Sequence, residues 1–216
     1  MKRFFSLLGF RRWKDIKQSE KDVYDNWANT YDRSFWPLWL DRWVDGFAKD
    51  VPEGISILDI GCGTGNALLR LSRKKPPLLA GIDISPKSIV VAKAKLSNLP
   101  ADLKVGDAES DLPWPNDAFD VAIMTAAIHH VPNPENVLHQ AFRILKPKGR
   151  LIIADPFFFF PLLQIENLLL KIYPLNGDLH FFSQKGLRTL VEGCGFQDIE
   201  QKHAAFLARY TIGFKP

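Results

Sequence analysis

A short apolar run, Ile55-Ser56-Ile57-Leu58, leads straight into Asp59-Ile60-Gly61-Cys62-Gly63-Thr64-Gly65 and then into Asn66-Ala67-Leu68-Leu69-Arg70-Leu71. That order predicts a buried strand, a tight glycine turn and a helix. Residues without a Cβ let a nucleotide-bearing ligand come close to the backbone at such a turn. The next apolar run closes on Asp83. An acid about 20 residues after the turn is where a nucleotide-binding βαβ unit places its ribose carboxylate. The pair predicts a cofactor site on an α/β fold.

The rest of the chain continues the alternation. Strands are predicted over 55–60, 78–84, 101–105, 119–124, 150–154, 196–202 and 205–212, and helices over 66–73, 86–96, 134–145 and 184–194. Ser85 and Ser183 stand where helix N-caps belong, and Gly149 reads as a stop signal before the fifth strand. Strands separated by helices imply a doubly wound, mostly parallel sheet of seven strands covered on both faces. Ahead of it, residues 19–47 read as helical, with Tyr24, Trp27, Ala28 and Tyr31 on one face and Pro37 ending or kinking the segment. We therefore expect a helical extension over 1–48 and a ligand-binding domain over 49–216. The stretch 156–182 breaks the rhythm with Phe157 to Phe160 in a row and reads as an insertion beyond the fifth strand.

Composition narrows the classes. The chain has 216 residues, is 46% hydrophobic and carries a net charge of +4, too mild to indicate nucleic acid. Much of that excess sits in residues 1–17, where Lys2, Arg3, Arg11, Arg12, Lys14 and Lys17 face only Asp15 among bulky aromatics. Such a segment suits peripheral contact with an anionic membrane, or is a tail without a role. Two cysteines are too few for a disulfide framework, so a reducing, cytoplasmic setting with membrane association through the arm is the expectation. No cluster suggests a metal.

Further pieces fall in register with the first two: Gly106-Asp107-Ala108 after the third strand, Asp117-Ala118-Phe119-Asp120-Val121 entering the fourth, His129-His130-Val131-Pro132 after it, and Leu145-Lys146-Pro147-Lys148-Gly149-Arg150-Leu151 leading into the fifth. Together they resemble the class I S-adenosylmethionine-dependent methyltransferases, Rossmann-like enzymes whose last strand is antiparallel. Tyr24-Asp25-Asn26-Trp27-Ala28-Asn29-Thr30-Tyr31-Asp32 resembles the N-terminal arm of small-molecule members, including the ubiquinone and menaquinone branch.

The resemblance implies S-adenosyl-L-methionine as cofactor. It implies that Asp59 orients the methionine amino end and that Gly61, Gly63 and Gly65 give backbone access. Asp83 would accept from both ribose hydroxyls, Asp107 from the adenine amine, with Ala108 at the ring edge and Ile84 on its face. Tyr24 and Tyr31 would be lid contacts. Methyl transfer needs no obligatory catalytic residue, but a hydroxyl or acidic carbon acceptor invites a base, for which His129, His130 and His180 are candidates. Each also has a structural reading, fixing a loop or packing a core.

Methyltransferases acting on exocyclic amines of bases carry an Asn/Asp-Pro-Pro-aromatic tetrad after the fourth strand. Here that place holds Thr125-Ala126-Ala127-Ile128, which argues against a nucleic-acid substrate. The aromatic segments point to a small apolar acceptor, a lipid or quinone precursor, methylated at oxygen or carbon. Two alternatives stand beside this reading. One is a non-catalytic sensor or adaptor that binds the same cofactor. The other is an NAD(P)-dependent oxidoreductase, disfavoured because Asn66 occupies the third glycine's place and Asp59 would repel a pyrophosphate.

Overall fold

The computed structural model describes residues 13–172 and 179–216. Two helices open it, α1 (Trp13–Tyr31) and α2 (Trp36–Ala48). The alternating part follows: β1 (Ile57–Ile60), α3 (Asn66–Leu71), β2 (Leu79–Asp83), α4 (Pro86–Lys95), β3 (Ala101–Val105), β4 (Phe119–Thr125), α5 (Pro134–Ile144) and β5 (Leu145–Pro156). Then come α6 (Leu162–Ile172), α7 (Gln184–Gly193), β6 (Gln197–Ala205) and β7 (Ala208–Phe214).

The strands form one sheet in the order β3-β2-β1-β4-β5-β7-β6. The first five pair in parallel, and β7 runs antiparallel to both β5 and β6. This is the Rossmann-like sheet with a reversed last strand. β6 therefore runs in the same direction as β5, and its turn into β7 lies at the carboxyl edge of the sheet.

The period of two splits the core. Leu58, Ile60, Phe119, Ala122, Met124, Leu151 and Ile153 face α5 and α7, meeting Val137, Leu138, Leu187 and Val191. Ile57, Val121, Ile123, Ile152 and Tyr210 face the other way, onto Val44 and Phe47 of α2, Leu68 of α3 and Ile89 of α4. Burial on both faces explains why β1 reads as a nearly continuous apolar run. Ser85 and Ser183 cap α4 and α7, accepting from Ser88 N and Gly186 N at 3.0 Å each.

Three expectations needed correction. Pro37 sits in the first turn of α2, where its missing N–H costs nothing, and the break between the helices falls at residues 32–35. Gly149 is not a stop before the fifth strand. β5 begins at Leu145, and the register slips from Phe119↔Leu145 to Val121↔Arg150, so Lys146–Gly149 is a bulge within it. The stretch 156–182 contains a regular helix, α6, which the phenylalanine run conceals. Residues 1–12 of the basic arm and 173–178 of that stretch lie outside the described residues.

Candidate active site

A cavity of about 500 Å³ opens at the carboxyl ends of β1, β2 and β4, roofed by α1 and α2 and walled by the segments after β5. Its floor is the glycine turn. Gly61 N and Cys62 N both donate to Ile82 O, at 2.9 and 3.0 Å, which ties the turn to β2. The Asp83 carboxylate joins the two loops, one oxygen accepting from Gly63 N at 2.8 Å and the other from Ser85 N at 2.9 Å.

The three glycines differ. Gly61 is left-handed with φ 77°, and a Cβ there would stand 2.8 Å from the Ala127 side chain. Gly63, with φ 50°, has nothing within 4 Å of a Cβ and opens into the cavity. Gly65 does not line the cavity. It starts α3 with φ 83°, against Ala92 of α4 and Leu96 just beyond it at 3.2 Å, so its small size serves helix packing rather than ligand access.

Asp59 is 2% exposed, and its Oδ1 has no hydrogen-bond partner among the described residues. Burial, and then the charge of Asp83, push its carboxyl up to about 8. Burial also raises Asp83, against the two amides that hold it down. The neighbouring acids thus oppose each other's ionisation at the floor. Asp107, Ala108 and Ile84 line the adjoining wall, where Asp107 accepts from Glu109 N at 2.9 Å.

The roof is latched at two points that sequence reasoning missed. Asp25 accepts from Ser85 Oγ at 2.6 Å and Lys87 N at 3.3 Å. Asp32 accepts from Thr64 Oγ1 at 2.9 Å and Asn66 Nδ2 at 3.0 Å, and pairs with Lys95 at 2.8 Å. Burial alone would raise both carboxyls, yet these donors hold each below its ordinary value. Tyr24 and Tyr31 line the cavity with Trp27. The Tyr24 ring meets His130 edge-on at 5.4 Å, and burial, with Asp32 beside it, raises the Tyr31 phenol.

On the far side, a 3₁₀ turn over Ile128–His130 sets both histidines into the lining. His129 is 4% exposed, and its Nδ1 lies 2.7 Å from Oδ1 of Asp155, itself 5% exposed at the end of β5. A carboxylate at this distance accepts from an Nδ1–H, which turns Nε2 away from Asp155. Phe181 packs on His129 at 5.2 Å and on Phe158 at 4.9 Å between centroids. His180 stands apart from the lining, stacked edge-on against Phe182 at 4.4 Å, and burial, then His129, lowers its pKa. Asp155 is a further residue sequence reasoning passed over.

Comparison with known proteins decides the family. A model described as "Methyltransferase domain" matches residues 31–201. The chain is a class I S-adenosylmethionine-dependent methyltransferase. It is 28% identical over 228 residues to the ubiquinone/menaquinone biosynthesis C-methyltransferase UbiE of Rickettsia bellii (strain OSU 85-389), covering 88% of this chain and 92% of that protein. It is 35% identical over 119 residues to the 27-O-demethylrifamycin SV methyltransferase of Amycolatopsis mediterranei (strain S699), covering 53% of this chain and only 44% of that one. Among solved structures, a Thermotoga maritima S-adenosylmethionine-dependent methyltransferase shares the fold at a TM-score of 0.71 and 22% identity, covering 91% of this chain and 100% of that chain.

S-adenosylmethionine is the methyltransferase's cofactor, and the floor fits it. An orphaned, buried Asp59 oxygen suits an ammonium donor, and a cationic ligand would favour the ionised form of Asp59 beside Asp83. Among the described residues no helix is long and apolar enough to cross a membrane.

Proposed function

We propose that this methyltransferase acts on oxygen or carbon of a small apolar molecule, of the lipid or quinone-precursor class, with His129 as general base. The observation that carries the reading is His129, backed by the buried Asp155 and lining the cavity beside Phe158, Phe181 and Leu170. In this reading the cofactor half is held by the floor. Asp59 takes the amino end, Asp83 the ribose hydroxyls and Asp107 the adenine amine, with Ala108 and Ile84 along the ring. Tyr24 and Tyr31 close over it from α1.

When bound, S-adenosylmethionine supplies an electrophilic methyl group on a sulfonium leaving group. His129 Nε2 removes the proton from the acceptor oxygen or carbon as that atom attacks, and Asp155 steadies the imidazolium that results. Trp27, Trp39, Phe158 and Phe181 exclude water and orient the acceptor. Positioning of this kind contributes roughly 7–11 kcal/mol. The names of the two relatives cited, one an O- and the other a C-methylating enzyme, support the choice of atoms.

Transfer of tritium from methyl-labelled cofactor into a lysate, partitioned between organic and aqueous phases, tests the reading. Label in the organic phase, absent with Asp83→Ala, is the expected result. Label confined to the aqueous phase overturns the apolar acceptor. Tight cofactor binding with no transfer in either phase favours the sensor or adaptor.

A further inference from the structure

α6 is turned inside out for a helix that closes a globular core. Leu163 and Leu170 face inward, while Ile165, Leu168 and Leu169 on the opposite side are 49, 59 and 49% exposed. Their spacing puts them on one helix face, an apolar stripe toward solvent. The chain entering α6 adds Phe159 and Phe160, 59 and 79% exposed.

Other segments extend the stripe. The β6–β7 turn presents Phe206, 79% exposed, and the neighbouring Leu207 O accepts from Phe157 N at 2.9 Å. That bond fixes the turn beside the phenylalanine run. On the cavity's other side the entry of α2, which lines it through Trp39 and Leu40, presents Phe35 and Leu38 at 67 and 65% exposure.

We propose that this rim is a docking surface for an anionic lipid bilayer. Charge selects the occupant. Arg33 and Arg42 flank Phe35 and Leu38, are exposed, and have no acidic partner among the described residues. The acids of α2, Asp41 and Asp45, are taken up by Arg70. The sequence before α1 adds four basic residues and no acid. Phenyl tips and an aliphatic helix face beside unpaired arginines fit the boundary between headgroups and acyl chains. The same segments turn Phe158, Leu170 and Leu207, with Glu166, toward the cavity, so rim and acceptor wall adjoin. Its use, to admit an acceptor from the bilayer, rests on the apolar-acceptor reading. The docking itself does not.

Flotation of the full chain with vesicles of phosphatidylcholine, with and without phosphatidylglycerol, tests the surface. The unaltered protein is expected to float with the phosphatidylglycerol vesicles. The double variant Ile165→Gln/Leu169→Gln is expected to lose about tenfold or more of that affinity. Arg33→Gln/Arg42→Gln is expected to lessen its preference for the anionic vesicles. None of these four side chains lines the cavity, so cofactor affinity and turnover of a water-dispersed acceptor stay as they were. Failure of the unaltered protein to float, equal flotation with both vesicle types, or full retention in the Ile165/Leu169 variant overturns the proposal. Self-association abolished by that variant, in place of flotation, assigns the face to a second copy and overturns it too. None of these outcomes alters label transfer, so docking and acceptor class fail separately.

Discussion

The two halves of the sheet's carboxyl edge are built from different materials. Over β1, β2 and β3, contacts come from backbone amides and carboxylates in contiguous turns, with Asp83 clamped between Gly63 and Ser85. Over β4, β5 and the segments beyond, the wall is made of side chains, Phe158, Leu170 and Phe181 among them, and His129 there is paired with Asp155, 26 positions away. A ligand common to a whole family can be read by backbone geometry, which substitution hardly alters. A ligand particular to one enzyme must be read by side chains, which substitution changes freely. Damage to one half should therefore leave the other half's readout intact.

The largest separation is expected at His129. His129→Ala should lower kcat by about 10²–10⁴-fold, the usual contribution of a general base, with cofactor affinity unchanged. Asp155→Asn should lower kcat as well and displace the acid limb of the rate–pH profile, since a neutral amide no longer steadies the imidazolium. A purely structural Asp155 would lower the yield of folded enzyme without moving that limb. Equal loss of cofactor affinity in both variants would break the division between halves.

Next in size is Asp59, on the cofactor side. Its folded-state pKa is raised from 3.8 to about 8. Between these values the free folded protein holds a proton that the unfolded chain has released. Stability from this group is therefore full below about pH 4 and lost as pH rises towards 8. A bound ammonium favours the carboxylate, so binding releases that proton. Cofactor affinity should rise by up to about tenfold per pH unit until pH 8 and then level. Asp59→Asn should flatten both curves and weaken binding by roughly 1.5–3 kcal/mol. Calorimetry in buffers of different ionisation heat detects the proton, and an affinity independent of pH sinks the assignment.

The same division governs what could be read from the sequence. Strand β3 and the starts of α3, α4, α5 and α7 were legible because apolar period, caps and prolines are local signals. That Asp59, Gly63 and Asp83 meet at one cavity was legible because a turn and a following strand fix their spacing. Asp155 was not, since its partner is chosen by the packing of β4 beside β5. α6 was hidden because Phe157 to Phe160 and the leucines after them are apolar on every face, which erases helical period. The latches of Asp25 and Asp32 were missed because an acid on an amphipathic helix ordinarily faces water.

The smallest effect resolves the finest part of the comparison, two glycines two positions apart. Gly63 and Gly65 both hold left-handed backbone, so alanine at either costs about 1–2 kcal/mol of stability in strain alone. Gly65→Ala adds a methyl 3.2 Å from Ala92 and Leu96, and its melting temperature should fall further than that of Gly63→Ala. Gly63→Ala meets nothing within 4 Å, but its methyl enters the space the ligand needs, so it should lose about tenfold in cofactor affinity while Gly65→Ala loses little. Melting curves with and without cofactor give both quantities. If Gly65→Ala proves the weaker binder, the turn meets its ligand one step later than its open face implies, and helix packing is not what keeps that position small.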